Sequence, residues 1–190
     1  MKVLCIQGSP RKNGNTATVL GWVEQELNSR GHAVEHLEIS GYGLEGCVGC
    51  YKCQLDPAQL TCSRQDRGLE VFESMKEADA VIYATPLYCW GFSSQIKPFI
   101  DRHLCLSTGY GNPHTHRSHV DGKRVGLLVT AAGVEGEGNS DLIVEVFKRL
   151  ADYVKTDVFA QLIVPLCTEP KDLGEKQRKK ARAFAEAIAG

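Results

Sequence analysis

The sequence predicts an α/β domain built on a doubly wound parallel sheet. Three observations predict it. Apolar, β-rich runs alternate with amphipathic stretches from one end of the chain to the other, the pattern of successive βαβ units. Five strands can be placed with a helical pattern after each, so the sheet is expected to be covered on both faces. The segment after the first strand is a polar, Gly-containing loop that runs straight into a helix.

The strands are expected at Lys2 to Gln7, Ala33 to Ile39, Ala80 to Thr85, Arg124 to Thr130 and Val158 to Val164. Helical patterns polar on one face lie near Asn15 to Ser29, Gly68 to Ala78, Ser94 to Leu106, Asn139 to Tyr153 and Pro170 to Ala189. Asn15 or Thr16 is expected to cap the first helix, Gly31 to follow its end, and Ser93 or Ser94 to cap the third, with Pro98 near its start. Two segments resist assignment, Ser40 to Arg67 and Ser107 to Gly122; long loops in a compact domain are usually functional or mobile. No internal repeat or linker interrupts the chain, so residues 1–190 are expected to form a single domain with a cysteine-rich loop at 40–67.

A net charge of -1, from 22 basic and 23 acidic residues, gives no global field for nucleic acid or an anionic membrane. The expected partners are small molecules or proteins. The first apolar run is broken at once by Gly8-Ser9-Pro10, and no later run approaches the ~20 apolar residues of a membrane span, so the chain reads as cytoplasmic. Eight cysteines in a reducing compartment point to metal or redox chemistry. Four crowd together, Cys47, Cys50, Cys53 and Cys62; Cys5, Cys89, Cys105 and Cys167 are scattered and read as small buried hydrophobes.

The loop Gln7-Gly8-Ser9-Pro10-Arg11-Lys12-Asn13-Gly14-Asn15-Thr16 sets several backbone amides at a helix N-terminus, an anion site by construction. Ser9 and Thr16 offer hydroxyls, Asn13 and Asn15 amides, and Arg11 a charge-assisted contact to a phosphate. Neither G-x-x-x-x-G-K-[ST] nor G-x-G-x-x-G is present, which favours a monophosphate. Cys5 and Arg11 also have the C-x5-R spacing of a phosphatase loop, a remote alternative because Cys5 falls inside the strand and no Asp-Pro general acid follows late in the chain. After the third strand, Pro86-Leu87-Tyr88-Cys89-Trp90 gives an aromatic wall for a planar ring: Tyr88 and Trp90 can flank it while backbone groups of Pro86 to Tyr88 meet its polar edge.

The phosphate loop, Thr85-Pro86-Leu87-Tyr88 and the downstream Lys97-Pro98-Phe99-Ile100-Asp101-Arg102 together resemble the NADPH-dependent FMN reductase family, in particular its iron-sulfur flavoprotein branch, over nearly the whole chain. The resemblance implies a flavodoxin-like fold, a five-stranded sheet of order 2-1-3-4-5, with FMN held between these loops. It implies an FMN-dependent oxidoreductase with NAD(P)H as donor, and homodimers or homotetramers. It also points to Ala131, Ala132 and Gly133 as contacts to the flavin ring.

Cys47, Cys50 and Cys53 form C-x2-C-x2-C, with Cys62 after eight further residues. Four thiolates suit a [4Fe-4S] cluster; zinc, a disulfide or free thiols are the alternatives. The iron-sulfur flavoproteins resemble this motif, although their fourth cysteine commonly follows more closely. His114, His116 and His119 could ligate a metal, though such a stretch is more often a solvated loop. The expected function is FMN-dependent oxidoreduction as a flavin or quinone reductase or an iron-sulfur flavoprotein; a non-catalytic electron carrier is the alternative.

Overall fold

In the computed structural model, which describes residues 1–136 and 138–190, five parallel strands form the central sheet: β1 (Lys2–Gln7), β2 (Ala33–Glu38), β3 (Ala80–Pro86), β6 (Arg124–Thr130) and β7 (Asp157–Val164). Their order is β2-β1-β3-β6-β7, the flavodoxin-like order expected, with β3 central. The remaining two strands, β4 (Ser107–Thr108) and β5 (Arg117–Ser118), pair antiparallel as a separate short ribbon inside the second unassigned segment.

Strand alternation sends successive side chains to opposite faces. Leu4, Ile6, Val81 and Tyr83 enter one core, packed against α2 (Gly68–Glu77), α3 (Lys97–Asp101) and α4 (Asp141–Tyr153) through Phe72, Phe99 and Phe147. Val3, Cys5, Ile82 and Ala84 enter the other, against α1 (Asn15–Ser29) and α5 (Glu175–Ala189) through Leu20, Val23, Phe184 and Ile188. Each such fully buried aliphatic or aromatic side chain contributes on the order of 1.5–3 kcal/mol. Lys176 to Lys180 form part of the wet face of α5, as expected.

Three local expectations are corrected. The N-cap of α1 is Gly14, with no side-chain cap, because Asn15 and Thr16 are turned to other partners: Asn15 Nδ2 donates to the Glu169 carbonyl at 3.3 Å, and the Thr16 hydroxyl meets that of Thr130 at 2.7 Å. Ser93 and Ser94 do not cap α3, whose N-cap is Ile96; the Ser93 hydroxyl donates instead to the Gly8 carbonyl. The third helix does not run from Ser94 to Leu106. It is the single turn Lys97–Asp101 followed by a tighter turn at His103–Leu106, broken where the Arg102 side chain leaves for Asp66. Pro98 lies in the first turn of α3, where its missing N–H is harmless.

Candidate functional site

A cleft of about 280 Å³ opens at the carboxyl ends of the strands, where open α/β sheets bind ligands. Ser9, Arg11, Asn15 and Thr16 line one part; Pro86, Leu87, Tyr88 and Ala132 line the other. The two loops are fastened together. Gly8 N–H donates to the Ala84 carbonyl at 2.7 Å, and a β-carbon on Gly8 would stand 2.6 Å from the Ile96 β-carbon, so only glycine lets these segments approach so closely. The Ser9 hydroxyl accepts from the Arg11 amide at 3.1 Å and fixes the turn, which delivers the free first-turn amides of α1 to the cleft.

Most of the expected ligand residues meet here, with differences. Asn13 lies outside the cleft, in a neighbouring depression with Lys12, His36 and Glu38. The main-chain donors of Pro86 to Tyr88 are engaged elsewhere: Leu87 N–H donates to Thr130 and Tyr88 N–H to Gly91, so this wall offers side-chain surface in place of amides. Ala131 is buried, with its N–H on the Val164 carbonyl and its carbonyl on the Cys167 amide; Ala132 is the exposed member of that loop. Trp90 and Gly133 line an adjoining hollow with Cys89 and Asn139, and the Trp90 indole donates to the Gly138 carbonyl at 3.0 Å, tying the two ring-side loops together. Cys89 and Trp90 are both left-handed, with φ of 47° and 62°, in a two-residue turn closed by Tyr88 and Gly91. Such strain costs roughly 1–3 kcal/mol per residue and gathers at functional sites; here it presents Tyr88 and Trp90 at the rim.

Sequence reasoning missed Cys167 and Thr168, which complete the lining together with Thr130, the last residue of β6. The available signal was their position at the carboxyl ends of β6 and β7. The scattered cysteines are therefore not uniformly small core residues: Cys5 is fully buried, but Cys167 borders the cleft and Cys89 is exposed. The buried state of Cys5, which pushes its thiol well above the ordinary value, disposes of the phosphatase alternative.

Cys47, Cys50, Cys53 and Cys62 border one small cavity of about 20 Å³, joined by Cys105 and by Arg64 and Arg102. Cys47 and Cys50 are exposed and Cys53 is buried; the Ser63 hydroxyl, 3.1 Å from the Cys50 sulfur, holds that thiol below its ordinary value. Among the described residues no three such ligands converge on one point, so a cluster requires the exposed thiols to turn inward. The donor chemistry nevertheless fits a sulfur-rich anionic group: beside the thiols, Arg102 is only 1% exposed and its Nε and Nη2 have no partner. Each buried donor left unpaired costs roughly 1–3 kcal/mol.

Asp66 holds this region together. It accepts from Arg102 Nη1 at 2.7 Å, from the Glu45 amide at 2.8 Å and from the Gly68 amide at 2.9 Å, clipping both ends of the cysteine loop to the end of α3. Burial pushes its carboxyl up, but Arg102 and the amides outweigh burial and hold it below the ordinary 3.8. A carboxylate depressed by folding adds stability that is complete above its unfolded value and lost as pH falls through the folded one. Amide exchange across residues 45–68, corrected for intrinsic rate, is therefore expected to show protection at pH 5 that fades below about pH 4; unchanged protection at pH 3 would contradict this.

His114, His116 and His119 do not converge. His116 Nε2 lies 2.7 Å from the Ser107 hydroxyl and 3.0 Å from the Tyr153 carbonyl, a structural role in the β4–β5 ribbon, while His114 is exposed. Among the described residues no helix is long and apolar enough to cross a membrane.

The family profile described as NADPH-dependent FMN reductase matches residues 1–142. An iron-sulfur flavoprotein from Archaeoglobus fulgidus is 33% identical over 195 residues, covering 100% of this chain and 79% of the relative. Other iron-sulfur flavoproteins match over about half of their own length. Among solved structures, the NAD(P)H:quinone oxidoreductase from Methanothermobacter marburgensis superposes with a TM-score of 0.74 at 20% identity, covering 100% of this chain and 96% of that one. A flavodoxin from Streptococcus pneumonia TIGR4 gives 0.64 at 15% identity, with 100% and 98% covered. These two likenesses establish the flavodoxin-like fold. With the family match over three quarters of the chain and a cleft lined mostly by residues inside the matched range, this chain belongs to the NADPH-dependent FMN reductase family of FMN-dependent oxidoreductases.

Proposed function

We propose that the chain, acting as one domain, takes electrons from NAD(P)H through FMN bound in the strand-end cleft and passes them to a quinone-like or protein acceptor. The observation that carries this reading is the cleft itself, polar and amide-rich at the start of α1 and walled by Leu87 and Tyr88 at the other end. Ser9, Arg11 and the main-chain amides of Asn15 and Thr16 would hold the phosphate, Arg11 supplying the charge. Leu87, Tyr88 and Ala132 would border the ring, with Trp90 and Gly133 closing its outer side. FMN, when bound, supplies the two-electron and one-electron chemistry. The chain's own residues bind, orient and exclude water, and none is required as acid, base or nucleophile.

The iron-sulfur flavoprotein relatives support a [4Fe-4S] cluster on Cys47, Cys50, Cys53 and Cys62 as the one-electron relay. A homodimer or homotetramer in the cytoplasm completes the reading; Leu142 and Val146, exposed one helical turn apart on α4, offer apolar surface for a second copy.

The test is an absorption spectrum of protein purified without oxygen, followed by NADH and NADPH oxidation with a quinone. Flavin bands and rapid quinone-dependent turnover are expected. Flavin bands without nicotinamide oxidation would reduce the protein to an electron carrier, and a colourless protein that resists FMN reconstitution would overturn the proposal.

A further inference from the structure

We propose that Arg102 donates its Nε–H and Nη2–H to the sulfur atoms of the iron-sulfur group in the cysteine cavity and thereby raises its reduction potential. This rests on the cluster reading given above. Arg102 lines the cavity together with Cys47, Cys50, Cys53, Cys62 and Cys105. Its guanidinium is almost wholly removed from water, at 1% exposure. One nitrogen, Nη1, serves both oxygens of Asp66 at 2.7 Å and the Glu45 carbonyl at 3.4 Å. The other two, Nε and Nη2, are buried and have no partner.

A buried cation whose donors are only partly used is the counterpart of a missing acceptor. The thiols around the same cavity identify that acceptor as anionic sulfur. The orientation is also built in. A β-carbon on Gly68 would lie 2.6 Å from Cζ, Nη1 and Nη2 alike, so the face of the guanidinium rests against the glycine backbone. Asp66 pins one edge of the planar fork and Gly68 its face, so the remaining donors have a fixed direction. Positive charge and N–H donors beside cluster sulfurs favour the more negative, reduced form and raise the potential.

The experiment compares wild type, Arg102→Lys and Gly68→Ala after anaerobic loading with ferrous iron and sulfide. Iron and sulfide content is measured, and the cluster is titrated by electron paramagnetic resonance with the bound FMN potential as an internal control. Arg102→Lys keeps a cation able to reach Asp66 but removes the planar fork. Gly68→Ala keeps every charged group and pushes the fork aside. Both are expected to retain FMN at an unchanged potential while the cluster shifts to a more negative one. The expected change is at least tenfold in the reduced-to-oxidised ratio at fixed potential, which is 59 mV for one electron. If Arg102→Lys fails to fold or to load, the titration of Gly68→Ala decides with the same criterion. A loaded variant with an unshifted cluster potential overturns the role of Arg102 and leaves the cluster standing. Wild type that takes up no iron or sulfide removes the cluster, and the role of Arg102 with it.

Discussion

Asp66→Ala is expected to lower stability by about 3–5 kcal/mol, because it leaves the Arg102 guanidinium buried without its carboxylate. It also frees the amides of Glu45 and Gly68, so the two ends of the cysteine loop lose their common anchor. Urea denaturation followed by circular dichroism reads the loss directly, and a change below about 1 kcal/mol, the scale of an exposed ion pair, would show that the pair is effectively solvated. The double variant Asp66→Ala with Arg102→Met separates charge from packing. Removing both partners of a buried pair is far milder than removing one, so most of the loss should be recovered. Recovery of stability without recovery of protease resistance in the 45–68 segment would assign the anchoring to the two backbone amides and the destabilisation to the orphaned cation.

The second large effect belongs to the other end of the molecule. Gly8→Ala places a methyl group 2.6 Å from the Ile96 β-carbon, inside the seam that fastens the phosphate loop to the segment after β3. Overpacking of this kind costs typically about 1–3 kcal/mol. The Ser93 hydroxyl bond to the Gly8 carbonyl crosses the same seam, so the strain is passed to the loop that must present Ser9, Arg11 and the first-turn amides of α1. FMN affinity, measured by quenching of flavin fluorescence on titration, is expected to fall about tenfold or more, since each 1.4 kcal/mol is tenfold. Restoring space with Gly8→Ala plus Ile96→Ala, which removes the Cγ2 and Cδ1 atoms that would stand 2.9 and 3.1 Å from the new methyl, should recover part of that affinity. Unchanged affinity in the single variant would mean that the loop's shape does not depend on this approach.

Much of the architecture was legible because it is written in local periodicity. The bounds of β1, β6 and α1 coincide with those expected from apolar runs and amphipathic spacing, and the alternation of strands and helices predicts a parallel sheet, whose order comes from the family resemblance. Local signals failed where a side chain serves a distant partner. Ser93 looks like a helix cap but bonds Gly8, and Asn15 and Thr16 look like caps but reach Glu169 and Thr130. Arg102 sits in an unbroken helical pattern in the sequence, yet the helix ends there and its side chain pairs with Asp66, far earlier in the chain.

The candidate site divides in the same way. Ser9, Arg11, Asn15 and Thr16 were readable because a strand, a polar loop and a helix start fall together in sequence. Cys167 and Thr168 reach the cleft only through the pairing of β6 with β7, and Cys105 joins the other cysteines only through the fold of the segment after α3. Local reading marks Cys167 and Thr168 only as residues beyond a strand's carboxyl end, and it does not mark Cys105 at all. The assignment of hydrogen bonds to backbone amides beside the ring was likewise beyond local reading, since Leu87 N–H is claimed by a strand more than forty residues away.

The clip at Asp66 has a consequence for the length of the loop it closes. Because one carboxylate fastens Glu45 to Gly68, the chain between them is a cassette whose two ends are fixed whatever its contents. Insertions or deletions inside it alter an internal circuit without disturbing the sheet, and doubling a flexible loop costs only about 0.6 kcal/mol. A variant shortened between Cys53 and Cys62 is then expected to keep both anchors at Glu45 and Gly68, and with them the strand-end cleft.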